Sequence, residues 1–192
     1  PAGSLGQLEA LSIQLAAITG NPRPTVARKA VIVMAGDHGI TQEGVSAFPS
    51  EVTPQMVLNF LHGGAAINAL ARQAGARVVV VDVGVAAEIG QYPGLITRKV
   101  ACGTANMAHG PAMTREQAEQ ALQVGIDVVQ REIEAGLDLV ATGDMGIGNT
   151  TPSAAIVAAF TGLPVRTVTG RGTGLDDSGL ERKVAILERV LE

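Results

Sequence analysis

The chain has 192 residues, of which 46% are hydrophobic and 24 are glycine, enough apolar material for a sizeable core and too much for a disordered segment. Fourteen Lys and Arg against eighteen Asp and Glu leave a net charge of −4, dispersed along the chain, so composition argues against a nucleic-acid or anionic-membrane partner. The longest uncharged stretch, residues 145–165, is interrupted by Asn149, Thr150, Thr151, Pro152 and Ser153, and falls short of a membrane-spanning helix. The lone Cys102 cannot close an intrachain disulfide and fits a reducing compartment, the cytoplasm.

In chain order, Leu5, Leu8, Leu11, Leu15 and Ile18 mark an opening helix. Ala30-Val31-Ile32-Val33-Met34 then reads as a buried strand delivering the loop Ala35-Gly36-Asp37-His38-Gly39. Thr53-Pro54 predicts a helix start, with the helix running towards Gln73. Residues 78–81 form a second buried strand ending in Asp82-Val83-Gly84, and residues 96–101 a weaker one. Thr114-x-x-Gln117 is a capping box opening a long helix to about Ala135, whose stripe of Ala118, Ala121, Leu122, Ile126, Val129 and Ile133 is expected to face a sheet. Residues 137–141 predict a further buried strand ending in Thr142-Gly143-Asp144. Thr151-Pro152 opens a helix to Phe160, residues 165–168 read as a strand before Gly170-Arg171-Gly172, and Ser178-x-x-Glu181 opens the last helix. Strands alternating with helices require crossovers, so the expected fold is α/β, a doubly wound, mostly parallel and Rossmann-like sheet with an extra N-terminal helix. Its ligands should gather at the strands' carboxyl ends.

Those ends carry the chemistry. Gly143-Asp144-Met145-Gly146-Ile147-Gly148-Asn149-Thr150-Thr151-Pro152 leaves a strand and enters a helix N-terminus, where converging N–H groups and the helix dipole suit a phosphate. It matches neither a Walker A motif nor a dinucleotide fingerprint, which argues against a nucleotide-dependent oxidoreductase; the plain alternative is a tight turn. Asp144, at the strand tip, suits ribose hydroxyls or bracing of a neighbouring loop. Gly170-Arg171-Gly172-Thr173-Gly174 is a second glycine-rich rim loop, and Lys183 on the next helix is either a phosphate's point charge or a solvated lysine. Asp37 and His38 suit a positional role better than a metal site, since His62 and His109 lack ligand spacing. Phe48 and Met56 at a helix entrance form either a wall for a flat heteroaromatic ring or part of the core.

The order of these motifs adds to the reading. Pro1-Ala2-Gly3-Ser4-Leu5-Gly6, Met34-Ala35-Gly36-Asp37-His38-Gly39, Glu43-Gly44-Val45-Ser46-Ala47-Phe48-Pro49, Asp82-Val83-Gly84, Gly110-Pro111-Ala112-Met113-Thr114, Gly146-Ile147-Gly148-Asn149-Thr150-Thr151 and Gly170-Arg171-Gly172-Thr173-Gly174 together resemble the nicotinate-nucleotide:dimethylbenzimidazole phosphoribosyltransferase family, over essentially the whole chain. The resemblance implies transfer of phosphoribose from nicotinate mononucleotide to a benzimidazole in cobalamin lower-ligand synthesis, by a homodimer, with no metal and no cofactor. It implies that the backbone of Gly146, Gly148, Asn149 and Thr150 and the side chain of Lys183 hold the phosphate, Asp144 the ribose, and Phe48, Met56 and Met145 the base, with Gly172 of the second glycine-rich loop expected as a further substrate contact. Two positions depart from the family pattern: Asp144 stands where Glu is usual, and Phe48 where Tyr is frequent. The family's general-base glutamate lies in a C-terminal segment past Glu192, so residues 1–25 are expected to be part of a small helical domain and residues 26–192 a truncated nucleotide-binding domain, inactive alone. The competing function is a non-catalytic module that binds a nucleotide or benzimidazole.

Overall fold

The computed structural model describes residues 3–192, and its elements follow from the apolar runs and caps of the sequence. In order they are α1 (Gln7–Thr19), β1 (Lys29–Gly36), a 3-10 turn (Gly39–Glu43), α2 (Val52–Leu61), α3 (Ala66–Ala74), β2 (Ala76–Gly84), β3 (Leu95–Thr97), α4 (Arg115–Glu134), β4 (Leu139–Met145), α5 (Thr150–Thr161), α6 (Val165–Val168) and α7 (Asp177–Leu191). The strands form one parallel sheet in the order β3-β2-β1-β4. Alternation along β1 splits the core. Val33 and Ala35 face Val57 and Phe60 of α2, whereas Ala30 and Ile32 face Val124 and Val128 of α4, so helices cover both faces as a doubly wound fold requires.

Several elements depart from expectation. The helix expected from Thr53 to Gln73 is two helices, because Gly63 takes a left-handed φ of 77° after His62 and the chain turns before restarting at Ala66. Buried Asn68 stitches the pair: its Oδ1 accepts from Ala65 N (3.1 Å), and its Nδ2 donates to the carbonyl of Phe60 (3.0 Å). Thr53 is no cap; it lies inside α2, fully buried. Residues 165–168, expected as a strand, make the short helix α6, where Pro164 starts a turn (Thr167 N to Pro164 O, 2.9 Å) and Val165 and Val168 pack on Leu187. Tertiary packing has overridden β-propensity in a run too short to resist it. The cap of α7 is Asp176, whose carboxylate accepts from Gly179 N, and not Ser178. On α4 the capping box forms as read, but Val124 and Val128 meet the sheet, while Leu122, Ile126 and Ile133 of the expected stripe are exposed. Finally β4, expected to be buried, is an edge paired only with β1, with Leu139 and Val140 exposed. None of the residues of α1 is buried.

Asn68→Ala would leave the Ala65 N–H without its partner and take one of the bonds to the Phe60 carbonyl, so we expect a loss of about 1–3 kcal/mol in denaturant unfolding, with little change in the denaturant slope.

Candidate functional site

The strand order locates the site. From β1 the chain moves outwards through β2 to β3, then returns to place β4 on the other side of β1, so the order reverses between β1 and β4. A crevice opens at such a switch point, past the strands' carboxyl ends. Here those ends deliver Gly36-Asp37-His38 from β1 and Asp144-Met145-Gly146 from β4, held in register by the pairing of Ala35 with Met145.

The two ends touch closely. A Cβ on Gly146 would overlap the carbonyl oxygen of Gly36 and stand 2.9 Å from His38 Nε2, so only glycine fits there. Gly148, at φ 83°, lies against Thr41, whose hydroxyl donates to the carbonyl of His38 (2.9 Å) and pairs with Ser50 Oγ (2.9 Å). Ile147 N donates to Thr53 Oγ1 (3.0 Å), tying the turn to α2. Within the turn Asn149 N donates to Gly146 O and Thr151 N to Gly148 O. The N–H groups of Gly146, Gly148 and Thr150 have no acceptor among the described residues, and Asn149 gives α5 no side-chain cap. The turn thus spends two amides on its own shape and one on α2, and leaves the others at a helix N-terminus, an arrangement that suits an anion.

Lys183 supplies the charge. Projecting from α7, it is fully buried; its Nζ donates to Thr150 Oγ1 (2.6 Å) and Gly170 O (3.2 Å), and no carboxylate pairs with it among the described residues. It is not the solvated lysine of the plain reading. Burial pushes its ammonium below the usual lysine pKa. Gly172, at φ 55°, brings its loop against both groups: a Cβ there would stand 2.9 Å from Thr150 Oγ1 and 3.4 Å from Lys183 Nζ. The structure therefore brings Gly146, Gly148, Asn149, Thr150, Gly172 and Lys183 into one neighbourhood from three segments.

Asp144 is exposed at the tip of β4, and its Oδ2 accepts from Asn149 Nδ2, so it braces the turn while Oδ1 makes no hydrogen bond. Half-buried His38 faces Asp37 and Asp144. Burial lowers its pKa against the opposing pull of these carboxylates, which favours the neutral imidazole. Asp37 holds the rim as expected, Oδ2 accepting from Ala86 N (2.8 Å), while its buried Oδ1 is unpartnered. Met56 and Met145 are half-buried against the core cluster on the α2 face, and Phe48 stands 52% exposed on the loop before α2. The contributions of Thr41 and Thr53 went unread in the sequence; Thr53 had signalled only a helix start. Among the described residues no group of three or more His, Cys, Asp and Glu could hold a metal ion, and no helix is long and apolar enough to cross a membrane.

Free amides at a helix N-terminus and a buried lysine beside a strand-tip carboxylate make an arrangement suited to a phosphate on an α/β sheet, and comparison with known proteins narrows the class. Residues 1–192 match the family DBI_PRT, described as phosphoribosyltransferase, and the chain belongs to that family. It is similar to the nicotinate-nucleotide–dimethylbenzimidazole phosphoribosyltransferases of Chloroflexus aggregans (61% identical over 191 residues, 100% of this chain and 54% of the relative) and Roseiflexus sp. (62%, with the same coverage). A crystal structure of CobT from Thermus thermophilus superposes with a TM-score of 0.96 at 54% identity, covering 100% of this chain and 57% of that one. The chain thus spans about half the length of the curated relatives it matches.

Lys183→Met keeps the packing of the stem and removes a buried charge that has no carboxylate partner. We expect it to unfold at a temperature no lower than the parent, and to lose about tenfold or more in affinity for a phosphomonoester by calorimetry. The sign with pH follows from burial: the folded state holds the Lys183 proton less tightly than the unfolded chain. The parent's stability should therefore rise relative to Lys183→Met as pH approaches the ordinary lysine pKa of about 10.4 from below.

Proposed function

We propose that the protein moves the phosphoribosyl group of nicotinate mononucleotide onto a benzimidazole such as dimethylbenzimidazole, releasing nicotinate and forming α-ribazole phosphate. The observation that carries this reading is the buried Lys183 ammonium, without a carboxylate partner, at Thr150, Gly170 and Gly172 beside the free amides of a helix N-terminus. A cation removed from water is stabilised by an anion, and the donor's phosphate supplies one. The names of the relatives support the substrate pair.

In this reading residues 146–150, Gly172 and Lys183 seat the phosphate, and Asp144 Oδ1 accepts from a ribose hydroxyl. The bond from C1′ to the pyridinium nitrogen breaks, its electron pair neutralising that ring as nicotinate leaves. The unprotonated benzimidazole nitrogen gives its lone pair to C1′ from the opposite face, inverting the configuration, and the proton on the other ring nitrogen passes to a base. Phe48, Met56 and Met145 provide the apolar wall for the acceptor. Positioning is then the main contribution of these residues. By resemblance, the base is a glutamate in the part of the relatives' length that this chain does not span, the working unit is a homodimer, and the compartment is the cytoplasm.

The test is to incubate the full-length protein with nicotinate mononucleotide and dimethylbenzimidazole and to separate the products chromatographically. Nicotinate and α-ribazole phosphate should appear in equal amounts, and residues 1–192 alone should yield neither. Nucleotide binding without nicotinate release in the full-length protein would instead favour a binding module. Asp144→Ala should lower kcat/KM for the nucleotide by roughly 10- to 100-fold, the range expected for losing a hydrogen bond to a charged group, whereas Asp144→Glu should retain turnover.

A further inference from the structure

The loop carrying Gly172 has a second side. One residue on, Thr173 Oγ1 accepts from Ala47 N (3.1 Å) and pairs with Ser46 Oγ (3.0 Å), and Ser46 Oγ in turn accepts from Phe48 N (3.2 Å). Among the described residues the N–H groups of Ala47 and Phe48 have no other partner, so this hydroxyl pair tethers residues 46–48, while Ser50 further along is held by Thr41. Gly170 and Gly172, on the other side, meet Lys183 Nζ and Thr150 Oγ1. A single loop thus joins the anion seat to the segment that bears Phe48.

We propose that Thr173 is a positioning residue that couples donor to acceptor: an anion gripped at Gly172 and Lys183 fixes the loop, and Thr173 passes that order to Ser46, Ala47 and Phe48, setting the wall against which the benzimidazole lies. This rests on the phosphoribosyl-transfer reading above. Coupling of this kind is reciprocal, so a bound acceptor must tighten the donor by the same factor. Thr173 is exposed and its hydrogen bonds are wet, so it contributes little to folding, and its loss should be felt in ligand coupling and not in stability.

The experiment uses the full-length protein, with nicotinate mononucleotide and dimethylbenzimidazole as probes. Thr173→Val should raise the KM for dimethylbenzimidazole by about fivefold or more, the lower end of typical coupling factors, and leave the nucleotide's Kd measured alone within about twofold. The tightening of nucleotide binding by dimethylbenzimidazole, read by calorimetry, should fall towards unity. Thr173→Ser, which keeps the hydroxyl, should restore both. An unchanged acceptor KM and coupling in Thr173→Val would overturn the proposal. So would a Thr173→Ser variant as impaired as Thr173→Val, or an equal loss of both affinities together with a lower Tm. Failure of the parent protein to bind or consume the nucleotide overturns the functional reading itself, a result distinct from an active parent indifferent to Thr173.

Discussion

A buried ammonium needs compensation, and the way Lys183 is compensated organises the site. Thr150 and Gly170 accept two of its three N–H bonds, but neither carries charge, and no carboxylate completes the pairing among the described residues. An uncompensated cation in a low-dielectric setting is costly to folding, so a group of opposite charge gains more here than it would on the surface. The uncapped N-terminus of α5 and the free amides of its approach turn point to the same guest. Giving up stability at a buried, uncompensated charge is a pattern of binding sites and not of cores.

Close backbone approach at the sheet's switch point shapes the turn that leads to Thr150, one of the two acceptors of this ammonium. Gly146 has no room for a side chain because β1 and β4 end in register and their loops are stacked, and His38 fills the space that remains. The Thr53 hydroxyl anchors the turn from α2, and the Thr41 hydroxyl, paired with Ser50, holds the neighbouring His38 carbonyl, so the backbone is fixed here without added charge. His38, whose burial disfavours the charged form, fills volume against Gly146 near Asp144. The candidate seat thus combines the strand-end turn and α7 with the loop of Gly170 and Gly172, and that loop's Thr173 reaches the exposed segment bearing Phe48.

Much of this was legible in the residues. The β-branched runs at Ala30 and Val78, the Thr114–Gln117 capping box and the glycine-rich turn before Pro152 each combine strong local signals with a tertiary role that agrees with them. Where the two conflict, sequence reasoning fails. The Val165–Val168 run favours a strand by side-chain type, yet Pro164 and the Leu187 surface make it a helix. The β4 run looks as buried as the β1 run, because edge and centre differ in the neighbours a strand finds and not in its own composition. Helix periodicity likewise showed that α4 is amphipathic without showing that Val124 and Val128, rather than Leu122 and Ile126, meet the sheet. The site motifs were each visible, but the meeting of Lys183 with Thr150, and of Thr173 with Ser46, joins residues far apart in the chain that no local pattern links.

The most direct measurement is a crystal structure of the full-length protein with bound nicotinate mononucleotide. Phosphate oxygens are expected within hydrogen-bonding reach of the Gly146, Gly148 and Thr150 amides and of Lys183 Nζ, with the ribose against Asp144. A nucleotide bound elsewhere, with Lys183 still held only by Thr150 and Gly170, would contradict that placement.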